Sequence, residues 1–351
     1  MKFNKIALAA AFGLFSMNAL ADGIIATLDA NTTNISAKDD LTVTLTLTND
    51  EQRNIKLLKW YTPEEGITDA LFSVVQNGEK IHYLGAHIKR PAPAEQDYIK
   101  LAPGESVKYE VELSGLYELT QTGSYEIQYH VENVDLMRGQ SKLGQKLAPM
   151  PDEIQSNTIN LWIEGRESVS TIVPAQDFSI LAKTPNYTGG CSNSEKSSIQ
   201  SALTAAENMA DNAVNYLNNS SNYYNDRYDT WFGSYTSTRW NNVRENFESI
   251  QDAISNKTLT FDCSCNQGYF AYVYPNSPYK VYLCNAFWSA NTTGTDSKAG
   301  TIIHELSHFN VVAGTDDLAY GQSAAKRLSP SRAVRNADNH EYFAENTPYQ
   351  N

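Results

Sequence analysis

The chain has 351 residues, with 27 Lys and Arg against 40 Asp and Glu and a formal net charge of −13. That length accommodates two domains, each with its own core. The acidic balance argues against a protein that tracks nucleic-acid phosphates, which needs a basic face, and it suits a cationic substrate.

The opening stretch, MKFNKIALAAAFGLFSMNALADG, carries Lys2 and Lys5, an apolar run from Ile6 to Phe15, and Ala19-Leu20-Ala21 before Asp22. This is the grammar of a secretory signal peptide cut after Ala21, so residues 1–21 are set apart from the fold. The run is shorter than the ~20 apolar residues a membrane span needs, and no later segment qualifies. The mature protein is expected to be secreted, extracellular and free of the membrane, and to be a monomer.

Residues 22–166 alternate polar and apolar positions in short runs. LTVTLTL (41–47), VKYEVEL (107–113) and YEIQYHV (125–131) have the period of two of half-buried strands, and turn signals such as QNGE and APGE separate them. An N-terminal all-β sandwich of immunoglobulin-like architecture is expected. His82, His87 and His130 show no ligand spacing there and read as ordinary surface or strand histidines.

Periodicity fades over residues 167–190, read as a linker with a processing site. Residues 191–351 follow with a different grammar. Residues 194–217 space Ala, Ile and Leu at three and four, predicting a long helix with Ser194 as N-cap, and 239–254 predict a second. YFAYVYP and KVYLCNAF flank a Pro-Asn-Ser-Pro turn as a hairpin. Another helix should start near Asp296 or Ser297. The expectation is a mainly helical domain with a small sheet.

Cys191, Cys263, Cys265 and Cys284 all fall in that half. In an exported protein an even count suggests two disulfides, and the spacing does not choose among the three possible pairings.

The chemistry concentrates in HELSHFNVVAGTDDLAYG, residues 304–321. His304 and His308 are four apart, so on a helix they share a face and can share a metal. Glu305 sits where its carboxylate can reach a metal-bound water. A catalytic zinc needs a third protein ligand and an open fourth position. Val311 stands where the longer metzincin pattern has glycine, and the nearest downstream glutamates are Glu341 and Glu345. Gly314 can take the positive φ that turns the chain back, which makes Asp316 or Asp317 the candidate.

HELSH followed by GTDDLAYG resembles the aspzincins, the deuterolysin family of secreted zinc endopeptidases, whose signature is H-E-x-x-H with G-T-x-D-x-x-Y-G. GGCSNSE, TWFGSY, FDCSCNQGYFAYVYP, VYLCNAFW, TTGTDSKAGT and NADNHEYFAENTP are similar to its peptidyl-Lys metalloendopeptidase branch. The resemblance covers the second half, leaving the β half as a candidate propeptide. It implies a zincin-like domain with one Zn²⁺ per chain on His304, His308 and Asp317, Glu305 as general base, and Tyr320 stabilising the oxyanion. It also implies the disulfides Cys191 with Cys263 and Cys265 with Cys284, and places Asp338 and Glu341, three apart, in the pocket for the residue after the cut.

The expected function is hydrolysis of proteins and peptides on the N-terminal side of lysine, from a precursor whose own propeptide is a partner. Lys183 is a candidate self-processing site. Two rivals are a broad-specificity deuterolysin-type endopeptidase and a non-catalytic secreted binding protein with a structural zinc.

Overall fold

Threonine alternating with leucine and valine decides the first sheet. In the strand Thr42–Asn49 every second residue is buried, with Val43, Leu45 and Leu47 inward and the threonines between them half-buried. It pairs antiparallel with Ile24–Ala30 on one side and Ser106–Glu112 on the other, so that Leu45 stands opposite both Leu28 and Tyr109. A second sheet runs in the order Asn34–Ile35, Ile159–Ile163, Gly123–Glu132, Phe72–Gln76, Glu79–Lys80. A third joins Met137–Gly139, Ile55–Leu58 and Tyr98–Leu101. Their inward faces make one apolar core that includes Leu28, Leu57, Tyr125, Tyr129 and Ile163.

These features come from a computed structural model that describes residues 23–139, 150–167, 184–220 and 226–350. The expected signal peptide, most of the linker and Lys183 lie outside the described residues.

The second half builds a separate core around helices α1 (Asn193–Asn219), α2 (Asp226–Phe232), α3 (Ser237–Asn256), α4 (Asn285–Ser289), α5 (Lys298–His308), α6 (Gln322–Ala325), α7 (Pro330–Ala333) and α8 (Ala337–Glu345). The N-cap of helix α1 is Ser192 rather than the expected Ser194. Ser192 Oγ accepts from the Glu195 amide at 3.2 Å, and the Glu195 carboxylate accepts from the Ser192 amide at 2.7 Å. This reciprocal box satisfies two amide donors, which Ser194 cannot match. Its inner face is Ile199, Ala202, Leu203, Ala206, Ala210, Ala213, Val214 and Leu217, small enough for α3 and α5 to pack closely.

Disulfides Cys191–Cys263 and Cys265–Cys284, with Cα separations of 5.1 and 4.8 Å, tie the start of α1 and the start of α4 to the segment that follows the Thr260–Asp262 strand. Closures of this kind contribute ~2–4 kcal/mol each.

The sheet of this half runs Asn186–Thr188, Thr260–Asp262, Lys280–Leu283, Ala271–Val273 and then His87–Lys89. The first three strands are parallel, and Ala271–Val273 is antiparallel to Lys280–Leu283. The fifth strand belongs to the first half of the chain. It adds antiparallel to the outer edge, with Lys89 opposite Ala271 and His87 opposite Val273, so the two halves share one sheet.

Candidate active site

Helix α5 is capped by Ser297, whose Oγ accepts from the Gly300 amide at 2.9 Å. Every residue from Ala299 to His308 is buried, because the helix lies between the sheet and helices α1, α3 and α8. His304 and His308, one turn apart, put their ring centroids 4.9 Å from each other. The turn after α5 reaches Gly314 at φ +57°, a left-handed conformation that glycine takes without strain. Thr315 follows, and its carbonyl accepts from His308 Nδ1 at 2.8 Å. That bond fixes the proton on Nδ1 and leaves the Nε2 lone pair free.

The two adjacent aspartates then part company. Asp316 is half-exposed and faces Arg335 at 3.6 Å. Asp317 is buried, with Oδ1 3.2 Å from His304 Nε2 and Oδ2 3.5 Å from His308 Nε2. Asn336 holds this segment in place: its Oδ1 accepts from the Leu318 and Ala319 amides at 2.7 and 3.1 Å.

Among the described residues, neither Nε2, neither oxygen of Asp317 and neither oxygen of Glu305 makes a hydrogen bond, although all are buried. Such orphaned groups are costly unless something else meets them. Two imidazoles and a carboxylate converging on one point, with a free carboxylate beside them, fit a zinc-type ion that keeps an open position. Electrostatics agree with that donor set. Burial pushes the His308 ring down to about 3, keeping it neutral. Burial opposes ionisation of Asp317, yet the neighbouring His308 and His304 rings hold its carboxyl well below the usual range. Burial pushes Glu305 up to about 8, within reach of a proton exchanged near neutral pH.

Tyr320 is buried, and its hydroxyl donates to the carbonyl of Ile88 at 3.0 Å. The Trp60 ring meets it edge-on at 5.3 Å. Burial raises its phenol well above the usual value, so it remains a donor.

Helix α8 packs on α5 with all nine residues buried. Asp338 and Glu341 share a face, and Lys89 reaches both: its Nζ is 2.5 Å from Glu341 Oε2 and 3.4 Å from Asp338 Oδ1, with Asp296 Oδ1 at 3.8 Å. The Phe270 ring lies 5.0 Å from the same ammonium. Burial opposes the charge on Lys89, but Asp338, Glu341 and Asp296 together hold its pKa well above the usual value. Burial likewise opposes the charge on Asp338, while the Lys89 ammonium holds that carboxyl below its usual range.

Two residues of the first half that sequence reasoning did not single out therefore reach this centre. Lys89 fills the acidic pocket. His87, read from the sequence as an ordinary strand histidine, is buried with its ring centroid 4.9 Å from that of His308. One ring nitrogen of His87, one of His308 and one oxygen of Asp317 lie within 4.8 Å of one another. No local signal marks either residue, because their placement comes from strand addition across the two halves. His82, by contrast, is exposed, and His130 sits at the surface beside Glu153.

Residues 216–345 match the family model described as lysine-specific metallo-endopeptidase, the M35 aspzincins. An extracellular protease of Aeromonas hydrophila is 47% identical over 92% of this chain and 93% of its own length. A peptidyl-Lys metalloendopeptidase of Grifola frondosa is 36% identical over 90% of this chain and 91% of its own. A solved zinc peptidase from Grifola frondosa is 49% identical, covering 46% of this chain and 100% of its own, at a TM-score of 0.44. With the buried histidine pair and its neighbouring carboxylates, the family match and the two relatives establish that the chain belongs to the aspzincin family and is a metalloendopeptidase of the zinc type.

Proposed function

We propose that the chain is the exported precursor of an endopeptidase that cuts on the N-terminal side of lysine. One observation carries the lysine reading: an ammonium, that of Lys89, is buried between Glu341 and Asp338, and the carbonyl one peptide bond before it accepts from Tyr320. Three relatives bear the name peptidyl-Lys metalloendopeptidase, which agrees with it. Three carboxylates around one point, with the Phe270 ring against it, suit the compact lysine ammonium.

In this reading His304, His308 and Asp317 hold one Zn²⁺ per chain. When bound, the metal supplies the positive charge that lowers the pKa of a water and polarises the scissile carbonyl. Glu305 accepts the proton of the attacking water and delivers it to the leaving amine, a role suited to a buried carboxylate whose oxygens make no hydrogen bond among the described residues. The Tyr320 hydroxyl donates to the carbonyl oxygen as negative charge develops there. Asp338 and Glu341 fix the lysine side chain, and with it the register of the bond to be cut. Residues 191–351 would form the enzyme, 22–166 the propeptide, and 167–190 a linker cut at Lys183. The mature enzyme would act outside the cell as a monomer on lysine-containing proteins and peptides.

The test is a mass-spectrometric map of cuts in a denatured protein rich in lysine and arginine, with and without chelator. Chelator-sensitive cuts confined to X-Lys bonds are expected. Cuts at many residue types would overturn the lysine pocket and favour a broad endopeptidase.

A further inference from the structure

The strand His87–Lys89 lies in the cleft as a peptide substrate would. It adds antiparallel to the free edge of Ala271–Val273, and the Phe270 amide donates to the Lys89 carbonyl at 3.0 Å; main-chain pairing of this kind binds an extended peptide largely regardless of sequence. Side chains alternate along a strand, so His87 and Lys89 share one face and Ile88 takes the other. Lys89 fills the acidic pocket, and the Ile88 carbonyl accepts from Tyr320. His87 stands beside His308 and Asp317, and its Nδ1 has no hydrogen-bond partner among the described residues.

The rest of the first half clamps this strand in place. The Tyr61 hydroxyl donates to the Asp317 carbonyl at 2.5 Å, and the Val134 amide to the Leu318 carbonyl at 3.2 Å. Arg332 pairs with Asp152 and Glu132, and Arg327 with Asp135, along the rim.

We propose that residues 87–89 are an internal inhibitor of the precursor: Lys89 competes for the lysine pocket, and His87 takes the metal's open position in place of the attacking water. With its bond aligned but no water admitted, the Ile88–Lys89 peptide is held uncut, and the enzyme stays latent until the first half leaves. The inference rests on the reading of Asp338 and Glu341 as a lysine pocket, and it assigns that pocket an occupant within the chain.

The test uses the full-length chain carrying Glu305→Gln, so that nothing is hydrolysed. Binding of a fluorescent peptide with one central lysine, and of its norleucine counterpart, is measured with and without Lys89→Ala. Lys89→Ala should tighten lysine-peptide binding about tenfold or more, since apparent affinity scales with the fraction of molecules whose cleft is open. Lys89→Met, which keeps the apolar stem without the charge, should fall between the two and guards against a folding artefact. In the Co²⁺-loaded protein, His87→Ala should shift the visible absorption bands.

Equal peptide binding with and without Lys89 overturns the inhibitor while leaving the lysine pocket intact if lysine still beats norleucine. An opened chain that binds both peptides alike overturns the lysine pocket and keeps the inhibitory strand. An opened chain that binds neither peptide overturns the inhibitor, because something other than Lys89 then closes the cleft. An unchanged cobalt spectrum removes His87 from the metal.

Discussion

Asp338 Oδ1 lies 2.9 Å from His304 Nδ1 and 3.4 Å from the Lys89 ammonium, so one carboxylate faces both a histidine of the proposed metal site and the ammonium in the acidic pocket. Glu341 Oε2 reverses the order, at 3.2 Å from His304 and 2.5 Å from Lys89. Carboxylates beside the far nitrogen of a histidine that would hold a metal stabilise the ring electrostatically, and loss of such a partner typically costs 10–100-fold in metal affinity, ~10-fold being the expectation here. Asp338→Asn in the processed enzyme should therefore weaken metal binding and also raise KM for lysine peptides. Glu341→Gln should mainly raise KM. Chelator competition and steady-state kinetics on both variants would show the split, and a Glu341→Gln enzyme that loses metal as readily as Asp338→Asn would contradict it.

Among the described residues neither carboxylate oxygen of Glu305 makes a hydrogen bond, so Glu305→Gln should leave the fold and the proposed metal donors in place. Glu305→Gln is expected to keep its metal and lose ~10²–10⁴-fold in kcat, the range typical of a lost general base. Metal content by atomic emission, set beside kcat for a lysine peptide, checks both halves. More than a few per cent of residual turnover in a metal-loaded variant would remove Glu305 from the base role.

The sequence read well where contacts are local. His304 and His308 are four apart, Asp338 and Glu341 three apart, and in each case helical geometry alone puts the pair on one face. The Thr-Leu alternation of 42–47 foretold its buried face for the same reason. The apolar spacing of α1 is legible, but the N-cap is Ser192 and not the expected Ser194, because the Ser-x-x-Glu spacing at 192–195 forms the capping box. His87 and Lys89 were not legible at all. HIK is three residues long and has no telling periodicity, and its meaning arises only when the edge of a distant sheet pairs with it.

Gly300 marks how closely α5 and α8 must approach. A Cβ built there would stand 2.2 Å from Glu345 Oε1 and 3.0 Å from Glu341 Cγ. Glu345 has little freedom to yield, since its carboxylate accepts from the Ser297 and Asp296 amides at 2.8 and 3.2 Å. Gly300→Ala gains ~1 kcal/mol in helix propensity, but overpacking of this kind typically costs ~1–3 kcal/mol. The variant should melt at a lower temperature and, because Glu341 is displaced, show a raised KM for lysine peptides. A variant as stable and as tight as the parent would mean that α8 shifts freely, contrary to the packing described.

Asp262 predicts how the enzyme half responds to acid. Its carboxylate accepts from the Ser264 amide at 3.0 Å, from Ser264 Oγ at 2.5 Å and from Thr188 Oγ1 at 2.8 Å, and Lys280 stands 3.3 Å away. Burial works against its charge, but the Ser264 bonds, with Thr188 and Lys280, outweigh that and lower the pKa from 3.8 to about 2. The folded pKa lies below the unfolded one, so the charged carboxylate stabilises the fold above the unfolded value. That contribution disappears as pH falls from about 4 towards about 2, because the unfolded chain takes up the proton first. The thermal midpoint should drop across this window, and the drop should be smaller in Asp262→Asn, which has no charge to lose. Since Asp262 precedes Cys263 and bonds Thr188, the variant should also be less stable at neutral pH, even with the Cys191–Cys263 bridge intact. Thermal melts of parent and variant from pH 2 to 7 would decide it, and parallel acid profiles for the two proteins would assign the acid sensitivity to other carboxylates.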